Sequence, residues 1–225
     1  MVLNDKRLRF IVGHYASGKT EFSINYAIKL VEMGKKVALV DLDVVNLYFR
    51  SREKKEFLEK LGIKVIASSV NASAVDIPAI SAEVFTPMQD TSYEAVIDVG
   101  GDPDGARALG RYKDYIVEGD YDMFYVLNAN RPETQTAEKA VEYLRKIEDT
   151  ARARVTGLIN NTHMLKSTTV EDVLKGQEVA LEVSKMTNIP IKYISVIEKI
   201  AKDLPDNLEG EVFPITLYMR EDWMI

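Results

Sequence analysis

Two periodicities alternate along the chain. Short runs dense in valine, isoleucine and leucine have few polar breaks, the signature of strands buried on both faces. They are LRFIVG (8–13), KVALVDLD (36–43), IKVIAS (63–68), EAVIDVGG (94–101), DMFYVLNAN (122–130), RVTGLINNT (154–162) and IKYISVI (191–197). Between them lie segments of helical period. Ile24, Ala27, Ile28 and Val31 recur at i, i+3, i+4 and i+7, and the pattern stops near Gly34. Ala137, Ala140, Val141 and Leu144 share a face in TAEKAVEYLRKIE, and VEDVLKGQEVALEVSKMT reads as another helix. EKKEFLEKL, AISAEVFTPMQ and ARALGRYKDYIVE are shorter helical candidates, Asn71, Ser73 and Pro78 mark a loop, and the tail EVFPITLYMREDWMI is an edge strand or a surface strap.

Strands alternating with helices predict βαβ units, hence an α/β fold with a mainly parallel sheet flanked by helices on both faces. In such sheets ligands sit outside the carboxyl ends of the strands. The polar motifs below all fall there.

Composition narrows the classes. The 225 residues suit one domain over 1–225. Lys+Arg 29 against Asp+Glu 35 gives a net charge of −6, against the basic excess of a nucleic-acid binder. There is no cysteine, so thiolate metal sites, disulfides and cysteine nucleophiles are excluded within this chain. His14 and His163 lie far apart, which disfavours a histidine metal site. MVLNDKRLRF has no apolar signal core, and no run approaches the ~18 apolar residues of a membrane span. The expectation is a cytoplasmic protein without a membrane anchor.

GHYASGKT (13–20) matches G-x-x-x-x-G-K-[ST] between a strand and a helix. A triphosphate is a dense cluster of acceptors, and successive backbone N–H groups at a helix N-terminus answer it. Gly13, His14, Tyr15, Ala16, Ser17, Gly18, Lys19, Thr20 and the following Glu21 are therefore the candidate nucleotide contacts, within a P-loop NTPase fold. Lys19 is expected to reach the β- and γ-phosphates as a catalytic group, and the Thr20 hydroxyl to bind Mg²⁺. The cofactors expected are ATP and Mg²⁺.

Carboxylates end two of the strands. Asp41 and Asp43 close the second strand pattern, and Asp98 precedes Gly100 and Gly101. Mg²⁺ keeps several waters and takes one or two carboxylates beside the phosphates. Thr20, Asp43 and Asp98 form the candidate metal set. Either Asp41 or Asp43 could align the attacking water, and Asp43 is favoured. Gly101 N–H could touch the γ-phosphate. For each aspartate the plainer alternative is a turn or helix cap.

These residues resemble the MinD/ParA/CobQ–CobB group of P-loop ATPases, part of the class that includes nitrogenase iron protein. The resemblance rests on GHYASGKT, VDLD, VIDVGG and GLINN and spans residues 8 to 200. It implies that the aspartate after the second strand assists hydrolysis and that an asparagine of GLINN reads adenine, Asn161 before its neighbour Asn160. MinD and ParA carry a second lysine just after the first loop glycine, which bridges a dimer. Here that position is His14, shorter and without a permanent charge, which puts the nucleotide-dependent homodimer in question. The tail is too short and acidic for a membrane-docking helix.

Other polar residues stay open. Asn128, Asn130 and Arg131 could contact nucleotide, or NRPET could be a turn with Pro132 opening a helix. No N-K-x-D motif reads guanine, which favours adenine. Arg50 and Arg52 could reach the γ-phosphate or a partner. Asp102 or Asp104 could cap a helix, while Arg107 and Arg111 with residues 69–80 could face a substrate. His163 and Trp223 read as packing or surface residues. The functions expected are a Mg²⁺-dependent ATPase switching a protein partner, an ATP-dependent kinase or dethiobiotin synthetase/cobyrinate amidation-type ligase acting on a small acid, or a binding module with little turnover.

Overall fold

The computed structural model describes residues 3–43, 54–67 and 82–219. Arg50, Arg52, Trp223, residues 69–80 and the side chain of Asp104 lie outside that description. The described residues form eight strands: β1 (Leu8–Val12), β2 (Val37–Asp41), β3 (Ile63–Ala67), β4 (Glu94–Asp98), β5 (Tyr121–Leu127), β6 (Gly157–Asn160), β7 (Ile191–Ile197) and β8 (Glu211–Ile215). They make one sheet in the order β3-β2-β4-β1-β5-β6-β7-β8, with every pairing parallel.

Among the described residues seven α-helices connect them: α1 (Lys19–Glu32), α2 (Lys55–Lys60), α3 (Phe85–Gln89), α4 (Pro103–Arg107), α5 (Ala137–Ala151), α6 (Val170–Thr187) and α7 (Glu198–Ala201). Strand alternation divides the core between the two faces. Leu8, Phe10 and Val12 of β1 join Ala140, Leu144 and Ile147 of α5 and Ala180 and Val183 of α6. Ile11 points the other way and joins Phe22, Ala27 and Leu30 of α1. The same face takes Phe213 and Met219, so the tail supplies both a parallel edge strand and a packed strap.

The chain departs from its sequence pattern in a few places. Residues 106–118 do not form one α-helix: α4 ends at Arg107 and a 3-10 segment runs from Ala108 to Tyr115. Gly105 and Gly110 weaken the α-helix there, and Gly105 is needed where its backbone meets Gly100. Pro132 sits in a turn, and α5 starts later, capped by the Thr136 side chain. Asp102 caps α4 by accepting from Gly105 N at 2.5 Å, ahead of Pro103 at the first helical position.

A charge lies within the first strand. Arg9 is 2% exposed, donates to Glu94 Oε2 at 2.8 Å, and lies over the Tyr26 ring at 5.3 Å. Hydrogen bonding and an opposite charge offset the burial of its guanidinium. Among the described residues no helix is long and apolar enough to cross a membrane.

Candidate nucleotide site

β1 is central, with β4 on one side and β5 on the other, so the loop after it opens where the connections diverge. The turn from Gly13 to Gly18 depends on backbone that side chains would block. Gly13 has φ 146°, and a Cβ there would stand 2.5 Å from Val126 O of β5. Gly18 has φ 93° and directly precedes α1; a Cβ there would meet Asn161 Nδ2 at 2.1 Å. Ala16 adopts φ 57° between them. Two side chains brace the turn from outside: Arg131 Nε donates to Ala16 O at 3.1 Å, and Asn161 Nδ2 donates to Ser17 O at 2.7 Å.

The first turn of α1 carries the last two residues of the motif. Lys19 is buried, and its Nζ donates to His14 O at 3.1 Å. Thr20 Oγ1 donates to Asp98 Oδ2 at 2.6 Å. Asp41 and Asp98 stand side by side in the β2–β4 register. Asp41 Oδ1 accepts from Asp43 N at 3.0 Å, a local turn just beyond β2. Asp43 Oδ1 lies 3.4 Å from where a Gly100 Cβ would be, and a Gly101 Cβ would stand 2.7 Å from Lys19 Nζ. Lys19, Thr20, Asp41, Asp43, Asp98 and Gly101 thus converge on one spot.

Burial shapes the electrostatics there. It lowers the Lys19 pKa, against the attraction of Asp98, Asp43 and Asp102. It raises the Asp98 pKa, reinforced by the charge of Asp41 and opposed by Lys19 and the Thr20 hydrogen bond.

The residues fit a phosphate chain with a hard divalent cation. Asp98 Oδ1 is buried without a hydrogen-bond partner, and such an acceptor beside a threonine hydroxyl suits a hydrated cation. Glycine at 101 keeps a side chain from colliding with Lys19 Nζ. Among the described residues no group of three or more histidine and carboxylate side chains could hold a metal alone.

From the loop a crevice runs along the sheet edge. Tyr15, Gly18, Thr20, Glu21, Asp43, Arg131 and Asn161 line it near the loop. Val196, Ile197, Ile215, Leu217 and Met219 form an apolar wall at the far end. Charged groups at one end and an apolar slot at the other match the anatomy of a nucleotide.

The remaining candidates divide. Asn161 is 2% exposed, and its Oδ1 is buried without a hydrogen-bond partner in the crevice wall. Asn160 turns away: its Nδ2 donates to Val173 O at 3.0 Å and Gln177 Oε1 at 3.1 Å, packing β6 against α6. His14 lies 3.6 Å from Glu133 Oε2 and meets the Tyr143 ring edge-on at 5.0 Å. Tyr143 OH in turn donates to Gly101 O at 2.7 Å. Asn128 is fully buried and accepts from Asn130 N at 3.0 Å, a turn arrangement outside the crevice. Arg107 and Arg111 are exposed and do not line it. His163, read as packing or surface, lines the crevice beside Gly18. The apolar wall was missed from sequence, although Ile215, Leu217 and Met219 alternate with period two.

The model of the CobQ/CobB/MinD/ParA nucleotide binding domain matches residues 16–205. The chain belongs to this family. It is thus a P-loop nucleotide-binding domain, and the family resemblance in its motifs holds across most of its length. Among solved structures, the cell division protein FtsY from Thermotoga maritima is 23% identical, with 88% of this chain and 65% of that one covered at a TM-score of 0.59. Chloroplast FtsY from Physcomitrella patens gives 17% identity, 93% and 63% coverage and a TM-score of 0.60. FtsY from Elizabethkingia anophelis in complex with GDP gives 19%, 89%, 60% and 0.56. At these identities the likeness is one of fold, and this chain spans just under two thirds of each structure. No curated protein matches the chain.

Proposed function

We infer that the chain binds Mg²⁺-ATP at the Gly13–Thr20 loop, hydrolyses it, and acts as a nucleotide-driven switch on a protein partner or assembly. The observation that carries this reading is the 2.6 Å contact of Thr20 Oγ1 with Asp98, beside buried Lys19. Thr20 and Asp98, the latter through water, would hold Mg²⁺, which offsets phosphate charge. Lys19 and the loop N–H groups stabilise the charge of the transferring phosphoryl group. Asp43 aligns the attacking water, with Asp41 orienting the Asp43 backbone. Asn161 donates to Ser17 O, which turns its Oδ1 into an acceptor suited to the amino group of adenine.

A second reading is an ATP-dependent kinase or ligase acting on a small acid. It is favoured by His14, which packs on Tyr143 and Glu133 of its own chain where MinD and ParA carry a bridging lysine. Calorimetric titration with Mg²⁺-ATP and Mg²⁺-GTP, followed by phosphate release with and without candidate proteins or small acids, tests both. Release raised by a protein supports the switch, and release requiring a small acid supports the ligase or kinase. Absence of heat with either nucleotide would remove both readings.

A further inference from the structure

The strap after β8 lines the far end of the crevice with Leu217 and Met219, continuing from Ile215. Two side chains of α1 fasten it. Thr216 N donates to Asn25 Oδ1 at 2.8 Å, and Asn25 Nδ2 donates back to Thr216 O at 2.9 Å. The same Nδ2 donates to Glu21 O at 2.8 Å, so the Asn25 amide is fixed from both sides. Glu21, one turn earlier on the same helix face, accepts from Tyr218 N at 2.6 Å and Met219 N at 3.2 Å.

This arrangement has an electrostatic cost that needs an account. Glu21 lies in the first turn of α1, next to a cradle built for a polyanion. A carboxylate there is favoured by the helix dipole but repels phosphate. Backbone N–H groups of the strap engage both of its oxygens through charge-assisted hydrogen bonds. One rigid helix therefore carries the phosphate cradle at its start and the anchor of the apolar wall within its next turn.

We propose that Glu21 and Asn25 are positioning residues for the nucleobase. By holding residues 215–219 they set the apolar wall against which the heterocycle packs, and so tune the affinity that the base adds to the phosphates. The inference rests on the ATP-binding reading above.

The test compares Mg²⁺-ATP with Mg²⁺-tripolyphosphate, which has the phosphates and no base, by calorimetry. In Glu21→Ala, and in Asn25→Ala should the first variant fail to fold, the ratio of ATP to tripolyphosphate affinity should fall about tenfold, since losing the Glu21 charge does not weaken phosphate binding. Glu21→Gln keeps one acceptor oxygen and should fall in between. Equal losses for the two probes, or no loss for either, would overturn the proposal. Wild-type protein binding ATP no tighter than tripolyphosphate would remove the wall alone. Binding of neither would remove the phosphate-loop reading and the wall together.

Discussion

Thr20 Oγ1 reaches Asp98 Oδ2 across 2.6 Å, although 78 positions separate the two residues in sequence. The hydrogen bond ties the first turn of α1 to the end of β4. It also fixes which lone pairs remain: the Thr20 oxygen keeps acceptor capacity, and Asp98 keeps Oδ1. Both are hard oxygen donors, as Mg²⁺ requires.

Lys19→Ala should cost about a hundredfold or more in Mg²⁺-ATP affinity, since a charge-assisted contact to phosphate inside a buried site is lost. The far-UV circular dichroism spectrum should stay that of the parent. Calorimetry showing unchanged affinity would contradict the role given to this lysine.

Asp43→Ala should still bind Mg²⁺-ATP but lose turnover by roughly a hundredfold or more, the effect expected of a water-aligning group. Single-turnover phosphate release measures this. Near-normal hydrolysis would transfer the role to Asp41.

Gly101→Ala places a methyl group 2.7 Å from both Lys19 Nζ and Tyr15 Cα. The lysine tip can swing aside, but the Tyr15 backbone cannot do so cheaply. We expect a loss of about 1 to 3 kcal/mol in stability and about tenfold weaker nucleotide binding. Urea unfolding and titration of the same preparation would check both.

Alkaline pH should destabilise the fold through buried tyrosines. Burial pushes the Tyr125 pKa far above its ordinary value, and its hydroxyl donates to Ala140 O at 3.3 Å. Above about pH 10 the unfolded chain releases this proton while the folded chain keeps it, so stability falls as pH rises. The slope approaches about 1.4 kcal/mol per pH unit for each such group. Tyr125→Phe should make the decline shallower in urea unfolding between about pH 9 and about pH 11.

The sheet was legible because its strands are buried on both faces, and IVG, VALVD and VIDVG announce themselves without tertiary information. The phosphate loop was legible because backbone geometry demands glycines at fixed spacing. Other features depended on distant partners. Arg9 interrupts an apolar run, and only the meeting with Glu94 and Tyr26 explains how it is buried. GLINN offered two adjacent asparagines, and the strand pleat sends Asn160 toward α6 while Asn161 turns to the loop. Glycines at 105 and 110 hinted at a weak helix, but the close approach of Gly105 to Gly100 depends on a distant partner. Of Asp102 and Asp104, both read as possible caps, Asp102 caps α4.

The amide of Asn161 has a consequence for redesign. Because its nitrogen is committed to Ser17 O, exchanging this side chain to alter which heterocycle is accepted would also release a brace on the phosphate turn. If Asn161 reads the base as proposed, selectivity and grip would be coupled at this position. On the proposed reading, redesign of base preference would begin at the strap, which takes no part in the Asn161–Ser17 brace.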